Sequence, residues 1–217
     1  MRISKICGGR NWCLLLAAGA ALFVAGMQAQ TVPGQIQVRG LSGSASYSTT
    51  GAVAVVLRAG AAVPTGSIIK TDTGSAVDLA FSHNAGVVRL VQNSALSIDK
   101  FAVNTATGGA VEVQLYLMEG TMVGFEKNLS NTSRYQVKVL NGIADISGSK
   151  FRLSAQGYLV LLDGNAVFVY VPPGVEPVPF QLKATSPVYF SPTEGVKPAP
   201  LDLVREVTLQ MKGKLRR

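Results

Sequence analysis

Between Ile36 and Tyr170 apolar residues recur at every second position, and no stretch sustains the wider spacing of a helical stripe. Val77, Leu79 and Phe81 alternate around Asp78 and Ala80, and Val111, Val113, Leu115 and Leu117 alternate around Glu112, Gln114 and Tyr116. Period two puts one set of side chains on a core face and the other outside. Turn-forming residues interrupt the runs at Thr73-Gly74, Asn84-Ala85-Gly86, Thr107-Gly108-Gly109, Glu119-Gly120, Asn128 to Ser133, Asn141-Gly142 and Asp163-Gly164. Their spacing, mostly roughly 8–12 residues, predicts about ten to twelve short strands in an all-β sandwich or roll, or a solenoid-like stack. Phe81, Leu90, Ile98, Leu115, Phe125, Val137, Ile146, Phe151, Leu161 and Val169 are expected to face the core.

The segment Tyr135 to Tyr170 carries the clearest pattern. Tyr135, Val137 and Val139 alternate with Gln136 and Lys138, and Asn141-Gly142 then offers a pair that tolerates positive φ, so a hairpin is expected there. Asp163-Gly164-Asn165 predicts a second reversal before the apolar run from Ala166 to Tyr170.

Composition changes after Tyr170. Eight of the ten prolines lie from Pro172 to Pro200. Proline cannot donate to a ladder, so residues 172–200 are expected to form an extended strap or linker, docked in part along a sheet edge by Val178, Phe180, Val188, Tyr189 and Phe190. Residues 201–217 predict a short basic amphipathic helix with Leu203, Val204, Val207 and Met211 on one face, Asp202 near its start, Lys212 and Lys214 near its end, and Gly213 as its terminator.

The N-terminus predicts a different fate. Arg2, Lys5 and Arg10 precede an apolar run from Trp12 to Gly26, and Met27-Gln28-Ala29 supplies a small residue at the edge of cleavage. Residues 1–29 are thus expected to be a secretory signal peptide; the rival, an uncleaved anchor, needs roughly 20 apolar residues. Both cysteines, Cys7 and Cys13, fall inside that segment, so the exported chain would carry no disulfide and no thiolate ligand. Its 188 residues would hold 17 Lys and Arg against 12 acids, about +5, a moderate charge without the basic clusters of a nucleic-acid binder. The domain from 36 to 171 is expected to be periplasmic or secreted, with no membrane span once the signal is removed.

Three motifs then stand in order: Val-Arg-Gly at Val38 to Gly40, Leu-Arg-Ala-Gly at Leu57 to Gly60, and G-S-I-I-K-T-D-T-G-S-A-V-D-L-A-F at Gly66 to Phe81. A strand with Val88, Leu90, Ser94 and Leu96 follows, then Leu117-Met118-Glu119-Gly120 and Gly148-Ser149-Lys150-Phe151. This series resembles the FecR-type periplasmic domain, whose "L-x-x-G" strand end and "G-T-x-F" step the last two match, with Ser149 in place of Thr. The resemblance implies an all-β envelope module. In full-length regulators of that family the module follows a membrane helix and a cytoplasmic anti-sigma segment, and it relays a signal from an outer-membrane TonB-dependent receptor. Only eleven residues precede the apolar run here, so a stand-alone module without an anti-sigma segment is expected.

Chemistry-bearing residues are sparse. Ser147 and Lys150 have S-x-x-K spacing, Ser82-His83-Asn84 mimics S-x-N, and Lys70-Thr71-Asp72 approaches K-T-G, but their order reverses that of penicillin-recognising enzymes. His83 is the single histidine, in a turn. Asp78, Glu112, Asp145 and Asp163 are the carboxylates a glycoside hydrolase could pair. Asn128 and Asn131 head glycosylation sequons that an asparagine-rich loop also explains, and the terminal Lys212 to Arg217 could touch anionic lipid or glycan. No catalytic, cofactor-binding or metal-ligating residue is assigned. The expected function is non-enzymatic binding of an envelope protein or polymer, without nucleic acid; the alternatives are an anchored signalling regulator and an envelope glycan hydrolase.

Overall fold

The structure, a computed structural model, describes residues 31–126 and 129–215. The expected signal peptide lies outside the described residues. Among those described, strands dominate and one helix closes the chain. The first group is β1 (Thr31–Pro33), β2 (Ile36–Ser42), β3 (Ala45–Thr49), β4 (Val55–Val56), β5 (Ala62–Val63) and β6 (Ser67–Thr71). There follow β7 (Ala76–Phe81), β8 (Gly86–Leu90), β9 (Ser94–Asn104), β10 (Ala110–Glu119), β11 (Thr121–Phe125) and β12 (Arg134–Val139). The last are β13 (Gly142–Ser154), β14 (Leu159–Tyr170), β15 (Val178–Ala184), β16 (Val188–Ser191), β17 (Gly195–Pro198) and the helix α1 (Leu201–Leu215). The fold is all-β, as the alternation predicts.

Pairing runs β4-β3-β6-β9-β10-β12-β13-β11-β8-β7-β2-β5, a curled sheet of 12 strands wrapped around its own core. Two long hairpins, β9–β10 and β13–β14, make the curl possible, because each half of a long strand serves a different neighbour. In β13, residues 142–145 pair with β12 and residues 150–154 pair with β11. The change of partner falls at a double bulge, where the β13–β14 register shifts between Ser147 and Lys150 and again between Lys150 and Phe151. Bulges add twist and bend a strand. Buried residues in β13 accordingly switch from even numbers (Gly142, Ala144, Ile146) to odd ones (Ser149, Phe151, Leu153), so both halves face the same interior.

That bulge corrects two expectations. Asp163-Gly164 makes no reversal; Gly164, at φ +88, lies inside β14 as the partner of the kink at Gly148, at φ +60. Because the alternation flips there, Phe168 and Ala166 are buried while Val169 stays on the outer side; in the unbulged β11, Phe125 also faces outward, only partly covered, because Met122 and Gly124 take the core side. The other eight expected core residues are buried. The β12–β13 hairpin forms, but its loop is Leu140-Asn141, and neither residue has positive φ. Gly142 serves packing instead: a Cβ there would stand 2.7 Å from the Phe168 ring.

Edge-to-face aromatics run through the core, Phe101 to Phe81 at 5.3 Å, Phe81 to Tyr135 at 6.5 Å and Tyr135 to Phe151 at 6.5 Å. The proline-rich segment is not a bare strap: β15 and β16 both pair with β14, and β17 pairs with β16. Its prolines sit in turns or on outer strands, where a missing N–H costs little. The helix continues through Gly213 rather than ending there.

Gly164 is the test of the corner. A Cβ would lie 2.4 Å from the Gly148 carbonyl oxygen and 2.5 Å from Ser149 Oγ, on top of the positive φ. Gly164→Ala should cost about 3 kcal/mol in chemical denaturation. Gly174→Ala, also at positive φ but with nothing within 4 Å, should cost about 1 kcal/mol.

Candidate binding groove

The outer side of the sheet opposite the core carries two parallel rows of side chains. Register places Asp78, Arg89, Val123, Arg152, Val160 and Tyr189 in one row across β7, β8, β11, β13, β14 and β16. Ala80, Val87, Phe125, Lys150 and Asp163 form the next. Such rows arise because strands in register align their outward positions.

Helix α1 lies along the first row. Val207, fully buried, packs with Val123 and Val160, joined by Leu203, Met211, Leu162 and Tyr189. The shared face expected for Leu203, Val204, Val207 and Met211 is therefore the docking face. Two arginines orient it. Arg89 donates through Nη1 to the Gln210 carbonyl at 3.0 Å, and Arg152 lies 3.8 Å from Glu206. Arg89 also grips Asp78 with both ends of its fork, at 2.7 and 2.8 Å. Asp78 is only 9% exposed, and this bidentate partner satisfies both of its carboxylate oxygens.

The second row is left beside the helix as the floor of a groove of about 910 Å³. Ala80, Val87 and Phe125 give it an apolar bottom, and Val204, Thr208 and Met211 of α1 form its wall. Lys150 sits at the far end, its Nζ 5.7 Å from the centroid of the Phe125 ring and 3.4 Å from Asp163. Arg39 and Lys212 stand at the other end.

The residues weighed for chemistry are dispersed. Ser147 is exposed on the outer side of β13, as is Lys150 beyond the bulge, but Lys150 is turned to Asp163 at 3.4 Å rather than to the serine. Ser82 Oγ accepts from the Gln35 amide at 3.0 Å, His83 is exposed at the β7–β8 turn with φ 55, and Asn84 shares that turn. Lys70 is exposed while Thr71 is buried against Val91 and Ser94, and Asp72 caps a neighbouring turn by accepting from the Ser75 amide. Of the four carboxylates, Asp78 binds Arg89, Glu112 binds Lys100 at 2.6 Å, Asp163 binds Lys150, and Asp145 accepts from Gln136 at 3.3 Å. Asp78 and Asp163 border the groove, whereas Glu112 and Asp145 lie on the other half of the sheet. Asn131 is in the β11–β12 loop, and Asn128 and the last two arginines fall outside the described residues.

One buried acid escaped the sequence reading. Glu126, 2% exposed, accepts a hydrogen bond from the Gly148 amide through Oε2, while its own amide donates to the Ser149 carbonyl at 3.1 Å. It thus stitches the end of β11 to the double bulge. Burial raises its pKa from the ordinary 4.5, opposed by the amides of Gly148, Leu129 and Ser149. Tyr135, fully buried nearby, is held protonated by burial and by the Glu126 charge. The signal available in sequence was the acid itself, placed directly after the Met122-Val123-Gly124-Phe125 run.

The architecture is an all-β curl with one outer sheet row covered by a terminal helix and the next row left open. A family model described as FecR protein matches residues 67–174. The chain is a FecR-type domain protein. The match begins at β6 and ends after β14, so the groove floor lies inside it, and α1 and Arg39 lie outside. No curated protein and no solved structure matches the chain.

Two outcomes test this geometry. Arg89→Ala strands the Asp78 carboxylate and frees the Gln210 carbonyl, and should destabilise the protein by about 3 kcal/mol. Adding Asp78→Asn should recover part of that loss in the same denaturation assay. For Glu126 the folded state holds the proton more tightly than the unfolded chain, so its contribution to stability is complete below pH 4.5 and is lost as pH rises through the raised value. Glu126→Gln keeps an acceptor for Gly148 and cannot ionise. Its melting temperature should exceed wild type at neutral pH, and the gap should close as the solution is acidified below 4.5.

Proposed function

We propose that the chain is an exported, non-catalytic module of the cell envelope that acts by binding, with the groove beside α1 as its contact surface. The observation that carries this reading is the pairing of apolar floor and committed carboxylates. Asp78 and Asp163, the two acids at the groove, are each engaged by a cation, Arg89 and Lys150, and general acid–base work needs a group free to exchange its proton. What remains on offer is half-buried apolar surface with a few polar groups around it, the usual make-up of a ligand site. Export is supported by the charge and length pattern of residues 1–29. Among the described residues no helix is long and apolar enough to cross a membrane.

Expression of the full chain in a Gram-negative host, followed by fractionation and N-terminal sequencing, tests the export half. Gln30 as the first residue of a periplasmic species is the expected result, and an intact Met1 in the membrane fraction overturns it. For the binding half, Ala80→Trp fills the groove floor. It should reduce capture of envelope components by cross-linking about tenfold, whereas Glu112→Gln, remote from the groove, should leave capture unchanged. Equal capture by both variants would remove the groove from the function.

A further inference from the structure

The groove is polarised along its length, and the polarity selects a class of ligand. From Ala80 on β7 to Asp163 on β14 its floor crosses four strand-to-strand steps, about 19 Å at ordinary sheet spacing. Its middle, Ala80, Val87 and Phe125 below and Val204 and Met211 beside, is apolar. The β14 end is neutral, since Lys150 and Asp163 pair there. Toward the opposite end the lining includes two cations, Arg39 and Lys212. Arg39 is the residue at the β2 register shift, set between the Val38–Leu79 and Gly40–Asp78 pairs, and therefore sits beside β7. Lys212 is two residues beyond Gln210, whose carbonyl rests on Arg89 of β8.

Neither Arg39 nor Lys212 has an ion-pair partner among the described residues. The one acid close to them, Asp78, is already neutralised by both arms of Arg89. A long apolar trough with a single cationic mouth complements a long apolar tail with a single anionic head. We infer that the groove takes a single-chain anionic amphiphile, a free long-chain carboxylate or phosphate monoester, with its tail along Val87 and Phe125 and its head between Arg39 and Lys212.

The alternatives fit less well. An extended peptide would need its backbone amides and carbonyls satisfied, and the floor row lies in the middle of paired strands, so it presents side chains rather than free ladder groups. A flat bilayer surface could reach the exposed cations but not a floor walled by α1. Arg39, Lys212 and the rest of α1 lie outside residues 67–174, so the cationic mouth and the helical wall are built from residues beyond the family match.

The inference rests on the binding reading above, and the experiment separates the two. The full chain is titrated with cis-parinaric acid, a fluorescent long-chain carboxylate, and the bound probe is displaced with palmitate or with hexadecyltrimethylammonium. Expected are saturable one-site binding, displacement by palmitate, and displacement by the cationic chain at least about tenfold weaker, the ratio that about 1.4 kcal/mol of head-group preference gives. Arg39→Glu with Lys212→Glu, both at exposed positions, should weaken the probe about tenfold without lowering the melting temperature, and Ala80→Trp should abolish the site. Equal displacement by both chains, or unchanged affinity in the double variant, overturns the assignment of the head group. Absence of saturable probe binding, or binding only to anionic vesicles, overturns the amphiphile altogether. If Ala80→Trp still lowers capture of envelope components in that case, the module binds through the groove and only its ligand class is wrong. If capture is also unaffected, both readings fall.

Discussion

The structure hangs on the double bulge shared by β13 and β14. A hairpin of two strands this long would ordinarily keep one face toward the core from end to end and would extend as a flat ribbon. The kink at Gly148 and Gly164 lets the apolar sets of both halves address one interior and hands β13 from β12 to β11. Buried polar groups hold it. Ser149 Oγ lies 2.8 Å from the Asn165 carbonyl and 2.8 Å from the Ser147 carbonyl, and Glu126 takes the Gly148 amide that the broken ladder would leave orphaned. Such a site is costly unless complete, because an unpaired amide in the interior loses its water without replacement. The Gly-Ser-Lys-Phe step noticed in the sequence is this bulge.

The bulge also decides what the outside of the sheet offers. Downstream of it Lys150 and Arg152 share the outward side, and in register with Phe125 and Val123 they complete the two rows described above. One row is closed by α1. Burying Asp78 and Arg89 under a helix carries a desolvation cost, offset by a bidentate pair and by the Gln210 carbonyl. The net gain in stability from such a pair is small, but it gives the helix one angle and one register, and the neighbouring row stays open in consequence. Apolar packing of Val207 with Val123 and Val160 supplies the attraction; the arginines supply the placement.

Much of this was legible beforehand. Alternation along Val77 to Phe81 and Val111 to Leu117 identified strands and their buried faces because a pleated strand has only two sides, and the helical stripe from Leu203 to Met211 identified α1 and its docking face. The misreadings share a cause. Asp163-Gly164 and Asn141-Gly142 carry the residues of a reversal, but a glycine at positive φ can equally bend a strand within a ladder, and a glycine can be present only because a Phe168 ring approaches it. Local sequence names the conformational freedom and not the use made of it. Val169 was misplaced because one unpaired residue reverses every side chain beyond it, and Phe125 because β11 is covered on both sides, Met122 and Gly124 facing the core and Val123 facing α1.

By itself the sequence determined the all-β class and the family, both properties of short stretches and their periodicity. Only the tertiary structure decided which outward side chains become neighbours. Arg39, Asp78, Val87, Phe125, Lys150 and Lys212 are spread over 174 residues and six elements, and strand register together with the resting place of α1 brings them to one groove. Register is set by the sum of non-local pairings and by where bulges fall, so no window of the sequence contains it.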